Sequence, residues 1–333
     1  MAGPRAPGGV PAPAAGRPPL NYRHAFHAGN AADVLKHAAL ARILVHLREK
    51  PAAFRVLDTH AGAGFYDLAA AEAERGGEWR SGIGRLLASR LPEGAAALLA
   101  PYLDAVHAAN AAAPAPGLQA GPGGPAMPAA ASAGPEDGTA PAGALRVYPG
   151  SPALALALLR AQDRLIACET APDIHGALAA ALGGDRRAKA LALDGWTALK
   201  AQLPPPERRG VVVIDPPFES AAEVTVLLRA LAAAARKWPT GIFLVWYPLT
   251  RRSAAEVLLE GLRIAPLPKT LRAELRTAPA GPDARGLGAS GIAVVNPPWR
   301  LEAELATLLP ALAAALGGAD GAFRLDWLRR EGA

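Results

Sequence analysis

The sequence predicts an α/β fold: a seven-stranded, mostly parallel sheet with helices on both faces and a small helical insertion after the first strand. Three observations carry this expectation. The run Val211–Ile214 is apolar at every position, as befits a central strand covered on both sides. Short apolar, β-branched runs recur along the chain, and amphipathic helical stretches separate the early ones. Several of these runs end directly on an acid, where the carboxyl edge of an open parallel sheet places its ligand contacts.

The first 18 residues, MAGPRAPGGVPAPAAGRP, are almost all Ala, Gly and Pro and are expected to be a disordered tail. An N-terminal motif and the first strand–loop unit are assigned to 19–66. Within it, Asn30 reads as a helix N-cap with Asp33 as the acid at the third position. Leu40, Ile43, Leu44 and Leu47 then form one apolar stripe, and Pro51 stops the helix. Asp33, Lys36 and His37 share a face near its first turn. Phe54–Asp58 reads as a strand, and the THAGAG that follows it as a tight glycine turn leading to a helix from Phe65.

A more polar helical insertion is expected over 67–107. From Ala108 to Leu145, 29 of 38 residues are Ala, Gly or Pro, so 108–145 is expected to be a disordered surface insertion. The remainder, 146–330, carries strands at Arg164–Cys168, Lys189–Leu193, Val211–Ile214, Gly241–Tyr247, Thr270–Arg276 and Gly291–Asn296. Glu223–Arg236 reads as one of the intervening helices.

Composition sets outer limits. At 333 residues, half of them apolar, the chain can bury a sizeable core. The net charge of +6 arises from 29 Arg and 6 Lys against 29 acids, which suits a polyanionic partner such as nucleic acid. Arg, Ala, Gly and Pro also rise together in GC-rich genomes, so charge alone decides little. The one cysteine, Cys168, excludes an internal disulfide and a cysteine-based zinc site. His24 and His27 have poor zinc spacing and no matched third ligand, so no metal is expected. No Leu/Ile/Val/Phe-rich run long enough for a bilayer and no secretory signal are seen, so a soluble cytoplasmic protein without a membrane partner is expected.

The chemistry is expected where the strands end. Asp58, Glu169, Asp194 and Asp215 follow four successive strands, so their carboxylates should line one edge. Such acceptors suit a cofactor with a ribose diol and an adenine amine, Glu169 for the ribose and Asp194 for the adenine. After Asp215, Pro216 and Pro217 stiffen the backbone and donate no N–H, which frees carbonyls to face a ligand. Phe218 adds a flat ring. An acid, a carbonyl and a ring together suit a planar, amine-bearing heterocycle; a buried strand ending in a proline turn is the plain alternative. Asn296-Pro-Pro-Trp299 repeats the pattern at the last strand, where a structural turn is the expected role.

Several motifs in order make the pattern specific: YRHAFHAGNAADVLKH (22–37), DTHAGAG (58–64), YPGSP (148–152), DG (194–195), VIDPPFE (213–219), WYP (246–248) and SGIAVVNPPW (290–299). Together they closely resemble the RlmJ family of 23S rRNA adenine-N6 methyltransferases, over roughly residues 19–330. The resemblance implies a Rossmann-like class I methyltransferase fold and S-adenosyl-L-methionine as cofactor. It implies Asp215 as the catalytic residue, also touching the methyl-donor pocket. Lys36, His37, His60, Ser151, Glu169, Asp194 and Gly195 are implied for the cofactor site. Tyr22 is implied to contact RNA, while Pro216 and Phe218 are expected to hold the base. The implied partner is 23S rRNA, protein-free or in an early assembly intermediate, met by a monomer. The competing expectations are a methyltransferase for another planar nitrogen (guanine N2, DNA adenine N6, a glutamine amide), a nicotinamide-binding oxidoreductase, and a non-catalytic RNA-binding protein. The missing GxGxxG counts against the oxidoreductase.

Overall fold

A computed structural model describes residues 24–112, 145–218, 221–249, 252–278 and 287–330. The 1–18 tail, Tyr22 and most of the 108–145 stretch lie outside the described residues. A 3₁₀ turn at His24–Phe26 leads into α1 (Ala31–Arg48) and β1 (Arg55–Asp58). Then come β2 (Phe65–Asp67), α2 (Ala71–Gly76), α3 (Glu78–Ser81), α4 (Ile83–Leu87), α5 (Glu93–Ala112) and β3 (Val147–Pro149). The alternating part follows: α6 (Ser151–Leu158), β4 (Arg164–Cys168), α7 (Pro172–Ala181), β5 (Ala188–Leu191), α8 (Gly195–Ala201) and β6 (Gly210–Ile214). The chain continues through α9 (Ala221–Lys237), β7 (Ile242–Pro248), α10 (Arg252–Ile264), β8 (Thr270–Arg276), β9 (Ala289–Val295), α11 (Leu301–Gly317) and β10 (Ala322–Arg329).

The main sheet has eight strands in the order β5-β4-β1-β6-β7-β9-β8-β10, one more than expected. Strands β5, β4, β1, β6 and β7 are parallel, β9 runs antiparallel between β7 and β8, and β10 pairs antiparallel with β8. The sequence hides β10 because its AFRLDWLR run mixes charge with apolar side chains and its first three residues are exposed at the sheet edge. From β1 the chain moves to β4 on one side and later to β6 on the other. Asp58 therefore stands at the switch point of the strand order, where open α/β sheets open a crevice.

The helix expected from Phe65 is a strand instead. Phe65–Asp67 pairs antiparallel with Val147–Pro149, Phe65 opposite Pro149 and Asp67 opposite Val147, so the chain leaves for the helical insertion and returns through one two-stranded clasp. Asn110 near the end of α5 secures the return: its Oδ1 accepts from the amides of Arg146 at 2.7 Å and Val147 at 2.9 Å. The helix runs on to Ala112, past the expected boundary at 107.

One face of the sheet is covered by α1, α5, α6 and α11, the other by α8, α9 and α10, and the two apolar layers meet through the strands. α1 is almost wholly enclosed, with Val34, Leu35, Leu40, Ile43 and Leu44 at 0% exposure. Burying each such side chain contributes about 1.5–3 kcal/mol, so α1 is a core element held chiefly by tertiary packing. Together with the 3₁₀ turn that follows it, α11 forms a stretch, Leu301–Asp320, long and apolar enough to cross a bilayer by length and composition alone. Its Leu305, Leu308, Leu309 and Leu312 are buried within the core, so its apolarity is used inside the protein.

The antiparallel course of β9 settles the place of the second Pro-Pro motif. Val295 pairs with Phe243 near the start of β7, so Asn296 emerges at the edge opposite Asp215. Its Nδ2 donates to the carbonyls of Pro239 and Gly241, at 2.6 and 2.9 Å, and its φ of +52° suits asparagine better than most residues. Asn296→Ala should cost about 1–3 kcal/mol through two lost hydrogen bonds and the left-handed backbone. Activity per folded molecule should be unchanged; a large loss of turnover with an unchanged melting temperature would place chemistry at this motif.

Candidate active site

The site begins with α1. Asn30 caps it, its side chain accepting from the Asp33 amide at 3.0 Å, while Asp33 Oδ2 accepts from the Gly29 amide at 2.9 Å. This reciprocal cap holds Asp33 rigid, with Asp33 Oδ1 at 2.9 Å from Lys36 Nζ one turn later. The same ammonium bonds Asp215 Oδ2 at the end of β6. Lys36 is 3% exposed. Burial works against its charge, but Asp215 and Asp33 outweigh that and raise its pKa well above the ordinary lysine value. The lysine implied for the cofactor site is thus a bridge between the first helix and the expected catalytic acid.

His37, the next residue, is fully buried and presents no surface to a ligand in this structure. Its ring stacks on Tyr148 at 5.5 Å, its Nδ1 lies 2.7 Å from the Tyr148 hydroxyl, and that hydroxyl meets Tyr102 at 2.9 Å. His37 Nε2 lies 4.0 Å from Asp33 Oδ1. The aromatic chain therefore packs behind the Asp33–Lys36 pair.

The four acids stand on adjacent strands β5, β4, β1 and β6 of the parallel set, or in the loops that follow them, and share one carboxyl edge. Asp58 is buried; its Oδ2 accepts from Ser151 Oγ at 2.7 Å and its Oδ1 from the His60 amide at 3.3 Å. Burial pushes its carboxyl up to about 6, with the Ser151 hydroxyl and Lys36 opposing the shift. Ser151 thus acts through Asp58. Glu169 folds one oxygen, Oε1, onto the amides of Thr170 and Ala171, at 2.7 and 2.9 Å, just before α7. Asp194 caps α8 with Oδ2, taking the Thr197 amide at 2.9 Å and its hydroxyl at 3.0 Å. The other oxygen of each, Glu169 Oε2 and Asp194 Oδ1, makes no hydrogen bond among the described residues.

His60 follows Asp58 and meets Trp196 edge-on at 5.1 Å. Burial lowers its pKa to about 4, so it is neutral near pH 7. The Thr59 hydroxyl donates to Val213 O at 2.9 Å, so at 2.8 Å it can only accept from His60 Nδ1–H, which leaves His60 Nε2 as an acceptor. Gly195 is buried against Thr59: an added Cβ would collide with the Thr59 carbonyl and lie 2.9 Å from its Cβ. Gly62 at φ +62° and Gly64 at φ +86° make the turn after β1, and a Cβ on Gly62 would strike the Tyr66 hydroxyl. These carboxylates, the lone pair on His60 and the side-chain-free turn fit a ligand with hydroxyl and amine donors, as an adenosine-containing cofactor has.

At β6, Asp215 keeps Oδ1 clear of any hydrogen bond among the described residues, and so does the Pro216 carbonyl. Phe218 departs from its expected place. With φ at +52° it is 4% exposed, turned into the apolar layer and packed edge-on against Trp246 at 5.9 Å. A buried ring offers no open face for stacking. Sequence reasoning passed over Trp246 as a site residue. It follows the paired Ile214–Val245 step on β7, level with Asp215, is half-buried, and its buried Nε1 has no hydrogen-bond partner among the described residues. The WYP motif was the signal that could have found it.

The chain matches the family model described as ribosomal RNA large subunit methyltransferase D, RlmJ, over residues 51–135 and 139–329. It is 37% identical over 294 residues to ribosomal RNA large subunit methyltransferase J of Escherichia coli K12, covering 88% of this chain and 92% of that protein. To the protein of the same name from Haemophilus influenzae it is 36% identical over 314 residues, covering 94% of this chain and 100% of the relative. The crystal structure of protein LPL1258 from Legionella pneumophila superposes with a TM-score of 0.72 at 29% identity, covering 90% of this chain and 98% of that one. On the family match and the two relatives, the chain belongs to the RlmJ family of ribosomal RNA large subunit methyltransferases.

Proposed function

We propose that this enzyme methylates the N6 of an adenine in 23S rRNA, using S-adenosylmethionine and Asp215 as its catalytic residue. The observation that carries the reading is the pair of acceptors at the end of β6 that are unengaged among the described residues: Asp215 Oδ1, whose partner oxygen is anchored by Lys36, and the Pro216 carbonyl. The exocyclic amine of adenine has two N–H groups, and two acceptors on a stiff Pro-Pro backbone match them. The family relatives, named as ribosomal RNA large subunit methyltransferases, support an RNA substrate.

The adenine N6 lone pair is delocalised into the ring and attacks poorly. Accepting its N–H groups at Asp215 Oδ1 and Pro216 O returns electron density to nitrogen and fixes its direction. As N6 forms its new bond it becomes cationic, the Asp215 carboxylate stabilises that charge, and Oδ1 is placed to take the proton. Lys36 holds Asp215 aimed while its own charge stays balanced by Asp33. S-adenosylmethionine, when bound, would supply an electrophilic sulfonium methyl, whose bond to sulfur breaks as the bond to N6 forms, with the neutral thioether as leaving group. Glu169, Asp194, His60 and Gly195 would hold it along the acidic edge, with Asp58 and Ser151 behind the glycine turn. An N6 paired in a helix is out of reach, so the adenine must be unpaired or flipped out. We assign the aromatic contact to Trp246 in place of Phe218, and Tyr22 remains the RNA contact implied by the N-terminal motif. The substrate form is protein-free or early-assembly rRNA met by a monomer, and the cytoplasm is its compartment.

Asp215→Asn should lower single-turnover methyl transfer by about 10²–10³-fold and leave S-adenosylmethionine affinity within a few-fold, since shape is kept and charge is lost. Nucleoside mass spectrometry of the rRNA product should show N6-methyladenine and no N2-methylguanine. Near-wild-type turnover of the variant would remove Asp215 from the chemistry, and N2-methylguanine would overturn the base.

Asp58 generates a pH prediction. Its folded pKa of about 6 lies above the ordinary carboxylate value of 3.8, so the folded state holds the proton more tightly than the unfolded one. The resulting stabilisation is present below about pH 4 and is lost as pH rises through about 6. Above that, the buried charge costs about 2–3 kcal/mol relative to a neutral group. Asp58→Asn should therefore raise the melting temperature at pH 8, with the gain shrinking towards pH 4, while cofactor affinity falls. A pH-independent change in melting temperature would refute the buried-charge account.

A further inference from the structure

The α4–α5 junction and the outer side of α11 leave an open groove of about 620 Å³ on the α1 side of the sheet. Arg85, Ser89, Arg90 and Leu91 form one wall, Thr307 and Pro310 part of the other, and no carboxylate lines it. The groove lies outside the acidic edge already described, and nothing in the methyl-transfer chemistry uses it.

Its charges are available. Among the described residues Arg90 is exposed and makes no hydrogen bond or ion pair. Arg85, also exposed, donates Nη1 to Leu316 O at 3.1 Å, and its other guanidinium nitrogens are uncommitted among those residues. The two arginines continue a spacing of five that begins with Arg75 and Arg80. Those two are occupied differently. Arg75 lies over Phe26 at 5.8 Å, and Arg80 stacks on Trp79 at 4.7 Å while pairing with Glu74 at 2.6 Å. The insertion is not basic as a whole: residues 71–93 hold four acids against four arginines. Glu74 is paired with Arg80 and Glu78 is bonded to His27 and Asn30, and none of the four acids lines the groove, whereas Arg85 and Arg90 do.

Its direction also fits. β8 runs parallel to β7, because each is antiparallel to β9, so β8 ends at the same sheet edge as β6. The end of α11 reaches that level, where a Cβ on Gly317 would lie 3.1 Å from Thr277 Cα, just beyond β8. A strand entering at Asp215 could therefore continue along the insertion to Arg85 and Arg90 without crossing the sheet.

We propose that this groove binds a segment of the substrate RNA outside the nucleotide being methylated, with phosphates on Arg85 and Arg90 and a sugar or base face on Leu91 and Pro310. Guanidinium groups beside an apolar wall suit a single strand, which offers charge on one side and flat rings on the other. The inference rests on the RNA substrate reading.

The test uses the full-length chain with a transcribed 23S rRNA fragment. Fluorescence anisotropy reads RNA affinity over a salt series, and labelled S-adenosylmethionine reads methyl transfer. Arg90→Glu should raise both the RNA Kd and the KM about tenfold and lower the salt slope by about one. kcat should stay within twofold, with cofactor affinity and melting temperature unchanged, and Arg90→Lys should recover most of the affinity. Arg85→Gln, judged with its melting temperature because of the Leu316 contact, should weaken RNA binding in the same direction. Unchanged RNA affinity and salt slope in both variants would overturn the proposal, as would a loss of kcat or cofactor affinity equal to the loss in KM. Failure of the wild type to transfer methyl would sink the substrate reading instead, and the groove would still be judged on RNA affinity.

Discussion

The structure depends on one buried ammonium. Lys36 sits inside the protein with carboxylates on two sides, one from its own helix and one from the end of β6, 179 residues later. Two acids share one base there, in a place that disfavours an unpaired charge. Removing one member of a buried ion pair commonly costs about 3–5 kcal/mol because the other is stranded. The same arrangement ties the first helix to the carboxyl edge, so docking of α1 and readiness of Asp215 are a single event.

Around that cluster the sheet edge is built from compromises. Asp58 is kept at the switch point although burial pushes its pKa up, and Ser151 is turned to meet it. Glu169 and Asp194 each give one oxygen to backbone amides at a helix start and keep the other open among the described residues. A carboxylate held by amides has fewer rotamers to lose when a ligand arrives, so its bonds form at lower entropic cost. Burial keeps His60 neutral, and the Thr59 hydroxyl, which donates its own hydrogen bond to β6, fixes the tautomer. Each of these local bonds fixes the direction of a lone pair.

Much of this was legible in the amino-acid sequence because buried parallel strands must be apolar throughout. β6, β4 and β1 show such runs, and an acid closes each within a residue. The cap at Asn30 and the Asp33–Lys36 spacing followed from helical periodicity. The bridge from Lys36 to Asp215 did not, since periodicity is local and nothing in a sequence states which distant acid a lysine meets. β10 was hidden by its alternating charge, and β2 by its length of three residues after a glycine turn. Phe218 misled because a left-handed backbone turns the residue after Pro217 inward, and the ring that stands level with Asp215 comes from the neighbouring strand. The Asn296 motif shows the same limit: a short pattern carries no strand polarity, and polarity puts it on the far side of the sheet.

The clasp between β2 and β3 has a practical consequence. Its two strands stand beside each other before and after the insertion, and Asn110 binds the returning chain to α5. Whatever joins Ala112 to Leu145 therefore begins and ends at anchored points that do not move the sheet. A segment so bracketed can lengthen or change composition between genomes without altering strand register. It is equally a natural port for the engineer, where a fluorophore or an affinity handle could be mounted with the sheet edge left as it is.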